Sequence, residues 1–173
     1  MHRYRLERDQ WLDHPLPRVF DFFSRAENLG AITPPWLRFR FRTPLPVEMA
    51  RDARIEYTLA LGGVPLRWRT RITAWEPERR FVDVQESGPY ALWEHHHLFE
   101  EKNGGVLMQD RVDYALPLGP LGRAVHFLAI RAMLSAIFDY RFQCVPALLA
   151  DAGTTAPRVA KSRMDMRPPG DEL

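Results

Sequence analysis

The hydrophobic pattern of this chain changes its period once, and that change limits the folds available to it. Between Leu37 and Ala115 apolar residues recur at every second position, the spacing of strands that are half buried. Beyond the turn Pro117–Pro120 they recur at helical spacing and predict one long helix over residues 121–149. Strands followed by a long helix give an α+β order, and a single curved antiparallel sheet wrapped around the helix buries both apolar faces.

About seven strands are predicted from the alternation. The first has Tyr4 and Leu6 on one face, although Trp11 beside Leu12 breaks the alternation and predicts a bulge. Two short helices follow this strand; the first begins after Asp13-His14-Pro15, and Pro34-Pro35 ends the second. The remaining strands are predicted near residues 37–42, 54–61, 66–74, 80–87, 91–101 and 106–115.

The predicted C-terminal helix has an apolar stripe that should face the sheet. Its members are Leu121, Val125, Leu128, Ala132, Ile137, Val145 and Leu148. Apolar residues also lie off this stripe, and their surplus leaves room for a homodimer contact or a partner surface: Phe127, Ile130, Met133 and Phe138.

Length and charge narrow the class of protein. The chain has 173 residues, so we expect one domain over residues 1–149, followed by a disordered tail over residues 150–173 that lacks periodic apolar residues. A formal net charge of +2 argues against nucleic-acid binding. The single cysteine, Cys144, excludes an intramolecular disulfide and any multi-cysteine metal site. Neither a signal-like segment nor an uninterrupted membrane span is evident, so we expect a soluble cytoplasmic protein without stable membrane insertion.

Four stretches of the sequence resemble a known superfamily. They are ITPPWLRF, GVPLRWRT, GPYALWEHHHLFE and DRVDYALPLGPLG. They are similar to bacterial proteins of the START-like, helix-grip superfamily (SRPBCC, or polyketide cyclase/dehydrase-like), and the similarity covers about residues 1–148. The resemblance implies an internal cavity between the sheet and the C-terminal helix. It also suggests an NAD-dependent epimerase-like protein as a partner and no cofactor. Because its members range from lipid carriers to cyclases, the fold does not settle activity.

Strand parity places several polar residues on the face that should line the cavity. If Trp93 and Phe99 face inward, His95 and His97 do as well, and the next strand contributes Asp110 and Tyr114. The parity of strand 80–87 leaves two orientations open, and the resemblance favours the one with Phe81 inward. The predicted ligand-binding residues are Trp36, Tyr57, Trp68, Asp83, Gln85, Trp93, His95, His97, Asp110, Tyr114 and Leu128.

Three roles are open for this polar set. It forms a structural hydrogen-bond network, or it orients a mostly apolar ligand, or it performs acid–base chemistry with His95 or His97 as base and Asp110 or Asp83 as its partner. The spacing of His95 and His97 would also suit a metal, but two histidines on a strand are more often network residues, so no metal site is predicted.

The predicted function is non-covalent binding or transport of a small hydrophobic or aromatic molecule, such as a lipid, quinone or polyketide-like compound. A cyclase- or dehydratase-type enzyme using the same cavity is the alternative. A third possibility is a protein-interaction module that presents the arginine row Arg67, Arg69 and Arg71. A cavity under ~150 Å³ would favour this third function, because ligand pockets usually span ~300–1,000 Å³.

Overall fold

A seven-stranded antiparallel sheet and a long C-terminal helix form the fold. The structure, a computed structural model, describes residues 1–152. The strands are β1 (Tyr4–Leu12), β2 (Arg40–Phe41), β3 (Arg54–Leu61), β4 (Val64–Glu76), β5 (Arg80–Ser87), β6 (Leu92–Lys102) and β7 (Gly105–Ala115). The helices are α1 (Leu16–Ser24), α2 (Gly119–Val125) and α3 (Arg131–Ala152), with 3₁₀ turns at Ala26–Leu29 and Pro35–Leu37 and a π-helical turn at His126–Ile130. The predicted helix-grip α+β architecture is therefore confirmed.

The strand order is β1-β7-β6-β5-β4-β3-β2, so the first strand pairs with the last. The predicted bulge in β1 is wrong: β1 pairs with β7 in continuous register from Tyr4 to Leu12, and Trp11 lies on the outer face. The irregular register occurs in β4 opposite β5, between Arg69 and Thr70 and again between Ile72 and Ala74. The strand predicted from Leu37 is also shorter than expected, because a 3₁₀ turn occupies its start.

The long helix presents a different stripe from the predicted one. Its buried residues from α2 to α3 are Gly122, His126, Leu134, Phe138, Arg141, Val145 and Leu149. Leu121, Val125 and Leu128 of the predicted stripe are exposed. The helix also continues to Ala152, three residues into the predicted tail, and the rest of that tail lies outside the described residues.

The helix packs on the sheet through two apolar clusters. Val145 and Leu149 join the cluster under α1, which includes Val106 and Met108 of β7. Leu134 and Phe138 join the other cluster, which includes Trp68 and Tyr114. By length and composition alone the continuous helix Gly119–Asp151 could cross a membrane, but a core helix of a soluble protein meets the same criterion.

The outer face of the sheet is charged and paired. Arg69 lies 2.6 Å from the carboxylate of Glu56 across the β3–β4 pair. Arg71 similarly lies 2.9 Å from Glu86. Much of the arginine row is therefore neutralised by carboxylates, and the fold leaves the inner face as the place for a site.

Candidate functional site

A cavity of about 160 Å³ lies between the inner face of β3–β6, the α1 region and α3. Most of its wall is apolar or aromatic, including Phe23, Ile32, Leu59, Met133 and Ile137. An apolar cavity of ~150 Å³ accommodates benzene, whereas drug-sized ligands occupy ~300–1,000 Å³. The cavity therefore suits a molecule of one or two rings, and its volume lies slightly above the limit that would favour a pure interaction module.

Cross-strand pairing brings the polar residues together at one side of this cavity. Asp83 on β5 is paired directly with His95 on β6, and His97 is paired directly with Asp110 on β7. Alternate residues of a strand share a face, so His95 and His97 both point inward. The orientation that the sequence left open for β5 is thereby resolved: Phe81 and Asp83 lie on the cavity wall.

The two imidazoles stand between two carboxylates. Their ring centroids are 3.8 Å apart. On one side, Asp110 Oδ1 lies 2.7 Å from His95 Nε2 and 3.2 Å from His97 Nδ1. On the other side, Asp83 Oδ2 lies 3.0 Å from His97 Nε2 and 3.6 Å from His95 Nδ1. We call Asp83, His95, His97 and Asp110 the His–Asp cluster.

Burial and mutual contact shift the pKa values of the cluster in different directions. Burial raises the pKa of Asp110, but Arg141 and the two histidines outweigh it and hold that pKa well below its usual value. Burial and the neighbouring His97 lower the pKa of His95. Burial also lowers the pKa of His97, but contacts with both carboxylates raise it more, so it lies above its ordinary value. Two carboxylates therefore lie beside two imidazoles and one guanidinium, so groups of opposite charge offset one another in this buried cluster.

Arg141 of α3 is a site residue that the sequence did not reveal. Its side chain is buried, lines the cavity, and places Nη1 3.6 Å from Asp110 Oδ1. Its guanidinium carbon lies 5.1 Å from the centroid of the Phe138 ring. Among the described residues, Nε and Nη1 of Arg141 have no hydrogen-bond partner. The sequence does hold a signal for it, because Arg141 lies four residues from both Ile137 and Val145 of the predicted stripe and so shares their helix face.

Six predicted ligand-binding residues line the cavity. They are Tyr57, Trp68, Asp83, Trp93, His95 and His97. That they contact a ligand stays a prediction. Asp110 is buried behind the two histidines and is not part of the wall. Phe22, Thr70, Tyr90 and Arg141 also line the cavity and were not predicted.

Apart from Asp110, four of the predicted ligand-binding residues do not line the cavity, each for a different reason. Trp36 is 51% exposed, because the 3₁₀ turn Pro35–Leu37 buries Leu37 and directs Trp36 outward. Leu128 is 85% exposed in the π-helical turn. Gln85 is used to close a turn, since its amide donates to the Tyr90 carbonyl and accepts from the Tyr90 N–H.

Tyr114, the fourth of them, packs behind two residues of the cavity wall, with its ring centroid 5.9 Å from Tyr90 and 6.2 Å from Trp93. Its hydroxyl lies 2.9 Å from His126 Nε2, and the His126 ring stacks on Tyr4 with centroids 3.5 Å apart. Tyr114 therefore anchors the π-helical turn to the sheet and is not placed on the cavity wall.

The chemistry available at the cavity is that of the His–Asp cluster and Arg141. Donor atoms of Asp83, His95 and His97 lie within 4.8 Å of one another, a spacing that could hold a metal ion. A histidine oriented by a carboxylate could instead move a proton. Cys144 is half-buried, and burial raises the pKa of its thiol, so it is a poor nucleophile.

Comparisons with known proteins agree with the fold. The sequence model of a family described as "Polyketide cyclase / dehydrase and lipid transport" matches residues 12–162. The comparison with curated proteins found no match. Among solved structures, the Zhui aromatase/cyclase from Streptomyces sp. R1128 has a TM-score of 0.66 at 13% identity, covering 88% of this chain and 94% of that one. The protein TTHA0849 from Thermus thermophilus has a TM-score of 0.66 at 15% identity, covering 86% of this chain and 99% of that one.

A third structural match concerns part of a longer protein. A nucleoside-diphosphate sugar epimerase from Corynebacterium glutamicum has a TM-score of 0.66 at 23% identity. The match covers 86% of this chain but 30% of the epimerase chain. At these identities the likeness to all three structures concerns the fold.

Proposed function

Because the chain belongs to the polyketide cyclase / dehydrase and lipid transport family, we propose that it binds a small hydrophobic or aromatic molecule without a covalent step. The ligand occupies the cavity between the sheet and α3. The observation that carries the proposal is the combination of an apolar wall with charged groups confined to one side. Such a cavity recognises a ligand by its apolar body and orients it by a few convergent polar groups.

The wall indicates the shape of the ligand. The planar rings of Trp68 and Trp93 meet edge to face, with centroids 5.2 Å apart, and Tyr57 stacks at 6.0 Å from Trp68. Burial raises the pKa of Tyr57, so its hydroxyl stays protonated and available as a donor. Arg141 supplies buried N–H groups without a partner among the described residues. A one- or two-ring molecule with a carbonyl, phenol or carboxylate group fits this cavity. Its rings pack on the aromatic wall, and its polar group accepts hydrogen bonds from the buried donors.

Binding of 1-naphthol, followed by isothermal titration calorimetry on metal-free protein, tests the proposal. We expect saturable binding with one site per chain. Ile137→Trp places a large side chain on the cavity wall and should weaken binding at least about tenfold, a loss of roughly 1.4 kcal/mol. Leu128→Trp makes the same change at an exposed position of the long helix and should leave binding unaltered. Equal affinities for both variants, or no binding to the wild type, would overturn the proposal.

An enzyme of cyclase or dehydratase type is the second candidate. The pairing of His95 with Asp110 favours it, because a carboxylate that accepts from one ring nitrogen leaves the other available as a base. Catalysis predicts that a poly-β-ketone thioester gains the absorbance of an aromatic product when the protein is added. If the protein binds this compound tightly but does not convert it, the enzyme candidate is rejected and only the binding function is retained.

The fold and the protein surface also support proposals for the cellular compartment and the binding partners. We expect a cytoplasmic protein with no nucleic-acid partner, since the fold resembles soluble proteins and the outer arginines are paired with carboxylates. The likeness to part of an epimerase chain supports an NAD-dependent epimerase-like partner, and the exposed side chains of Phe127 and Leu128 supply apolar surface for it or for a homodimer.

A further inference from the structure

We infer that Asp83, His95 and His97 form a binding site for a divalent transition-metal ion of the Zn²⁺ class at the cavity wall. Imidazole nitrogens and a carboxylate oxygen are donors that Zn²⁺ accepts. These three residues each offer one donor atom, and the three atoms lie within 4.8 Å of one another. The inference goes beyond organic-ligand binding, because the ion would bind whether or not the rest of the cavity is filled.

The distances fit one ion shared by three ligands. Asp83 Oδ2 lies 3.0 Å from His97 Nε2 and 3.6 Å from His95 Nδ1. Two donors that each bind Zn²⁺ at ~2.0–2.1 Å in tetrahedral geometry are about 3.3–3.4 Å apart. Both separations from Asp83 lie close to that value, and the two imidazole nitrogens lie within 4.8 Å of each other. Side-chain rotations that adjust these separations would place an ion between the three atoms.

Asp110 supports the site from the opposite side of the rings. It lies 2.7 Å from His95 Nε2 and 3.2 Å from His97 Nδ1, which are the ring nitrogens that face away from Asp83. A metal-binding histidine usually donates its other N–H to a carboxylate, which fixes the tautomer and orients the ring. Asp110 accepts from His95 Nε2, which leaves His95 Nδ1 with a lone pair toward Asp83. His97 Nε2 donates to Asp83 when no metal is bound, so an ion that binds there displaces this proton.

The local charge and the position of the site also suit a cation. Two carboxylates and the Arg141 guanidinium leave one negative charge when both imidazoles are neutral. Asp83, His95 and His97 line the cavity, so three protein ligands leave further coordination positions open to it. Open positions are typical of metal sites that bind a small molecule, and closed four-ligand sets are typical of structural ones.

The test is a titration of the chelator-treated full chain with ZnCl₂ or CoCl₂ alone, without any organic probe. We expect one ion per chain, and visible Co²⁺ absorption of tetrahedral intensity. Asp83→Asn and His97→Gln should weaken binding by roughly 100-fold, and Asp110→Asn by about 10–100-fold because it acts through the rings. His96→Gln is the matched control, since His96 lies on the same strand facing Glu94 on the outer side.

Two outcomes would overturn the inference: wild-type protein that takes up no ion, or uptake that His96→Gln abolishes while His97→Gln does not. If His97→Gln fails to fold, X-ray absorption of the Zn²⁺-loaded wild type replaces it. Two imidazoles and one carboxylate in the coordination shell support the site, and any other ligand set contradicts it. Because the 1-naphthol titration uses metal-free protein, failure of one experiment leaves the other informative.

Discussion

His95 Nε2 and Asp110 Oδ1 lie 2.7 Å apart on neighbouring strands, with about 6% of each side chain exposed. Asp110 also contacts His97 and faces Arg141, so three nitrogen-bearing side chains depend on this one buried carboxylate. Removing one member of a buried ion pair leaves the remaining charges without compensation. The same interaction therefore matters for the stability of the fold as well as for its site.

Asp110→Ala should destabilise the protein by ~3–5 kcal/mol, because it leaves Arg141 and His97 buried without a carboxylate between them. Asp113→Ala is the control on the same strand. Its partner Arg5 is exposed, so the loss should stay within ~1 kcal/mol. Urea unfolding of both variants measures the difference, and equal losses would show that the cluster carries no net stabilisation.

Leu134→Ala should cost ~2–5 kcal/mol, because the side chain is 2% exposed and packs with Trp68 and Phe138. Leu128→Ala should change the stability by no more than ~0.5 kcal/mol, because 85% of that side chain is exposed. Comparing the thermal unfolding of these two variants tests which face of the helix packs on the sheet. A large loss at Leu128 would mean that a partner copy covers it.

Gly122→Ala should destabilise the protein, although alanine favours a helix over glycine by ~0.5–1 kcal/mol elsewhere. A Cβ at this position would overlap the carbonyl oxygen of Pro117, a backbone atom that cannot rotate away. The start of α2 would have to move. A higher melting temperature for this variant than for the wild type would contradict the packing described.

The Cys144 thiol should react with iodoacetamide more slowly than free cysteine does at neutral pH. Burial raises its pKa, so less of it is thiolate at a given pH, and the half-buried sulfur is also less accessible. The rate should keep rising as the pH passes the ordinary cysteine value. A rate that reaches its plateau below that pH would mean that the thiol is activated.

Strand parity predicted the inner face of β6 and β7, whereas the orientation of β5 also needed the resemblance to the superfamily. The residues at 93, 95, 97 and 99 lie on one face of the strand, and the burial of His95, His97 and Phe99 follows from the period of two. It also predicted Asp110 beside the histidines, because β6 and β7 follow each other through the tight turn Asn103–Gly105. The contacts within the cluster needed the register between strands, which the sequence does not supply.

The sequence predicted the length of the C-terminal helix, but it did not predict which face of the helix packs on the sheet. A uniform period of 3.6 residues puts Leu121, Val125 and Leu128 in line with residues farther along the helix. The π-helical turn at His126–Ile130 has about 4.4 residues per turn, so its five residues lag an α-helix by about 90°. That lag keeps Gly122 and Leu134 on one face and exposes Leu128.

The pairing of Tyr4 with Tyr114 has a consequence for how the chain reaches this fold. Within this domain, β1 is synthesised first but has no neighbouring strand until β7 has been made, and α3, which covers both, is made later still. Pairs so distant in sequence close slowly, because loop-closure entropy must be offset before any contact forms. Until then the edge of β7 stays open to other chains. Folding of this domain during synthesis therefore waits for β7 and α3, and a nascent chain held before Ala115 has no complete sheet to join.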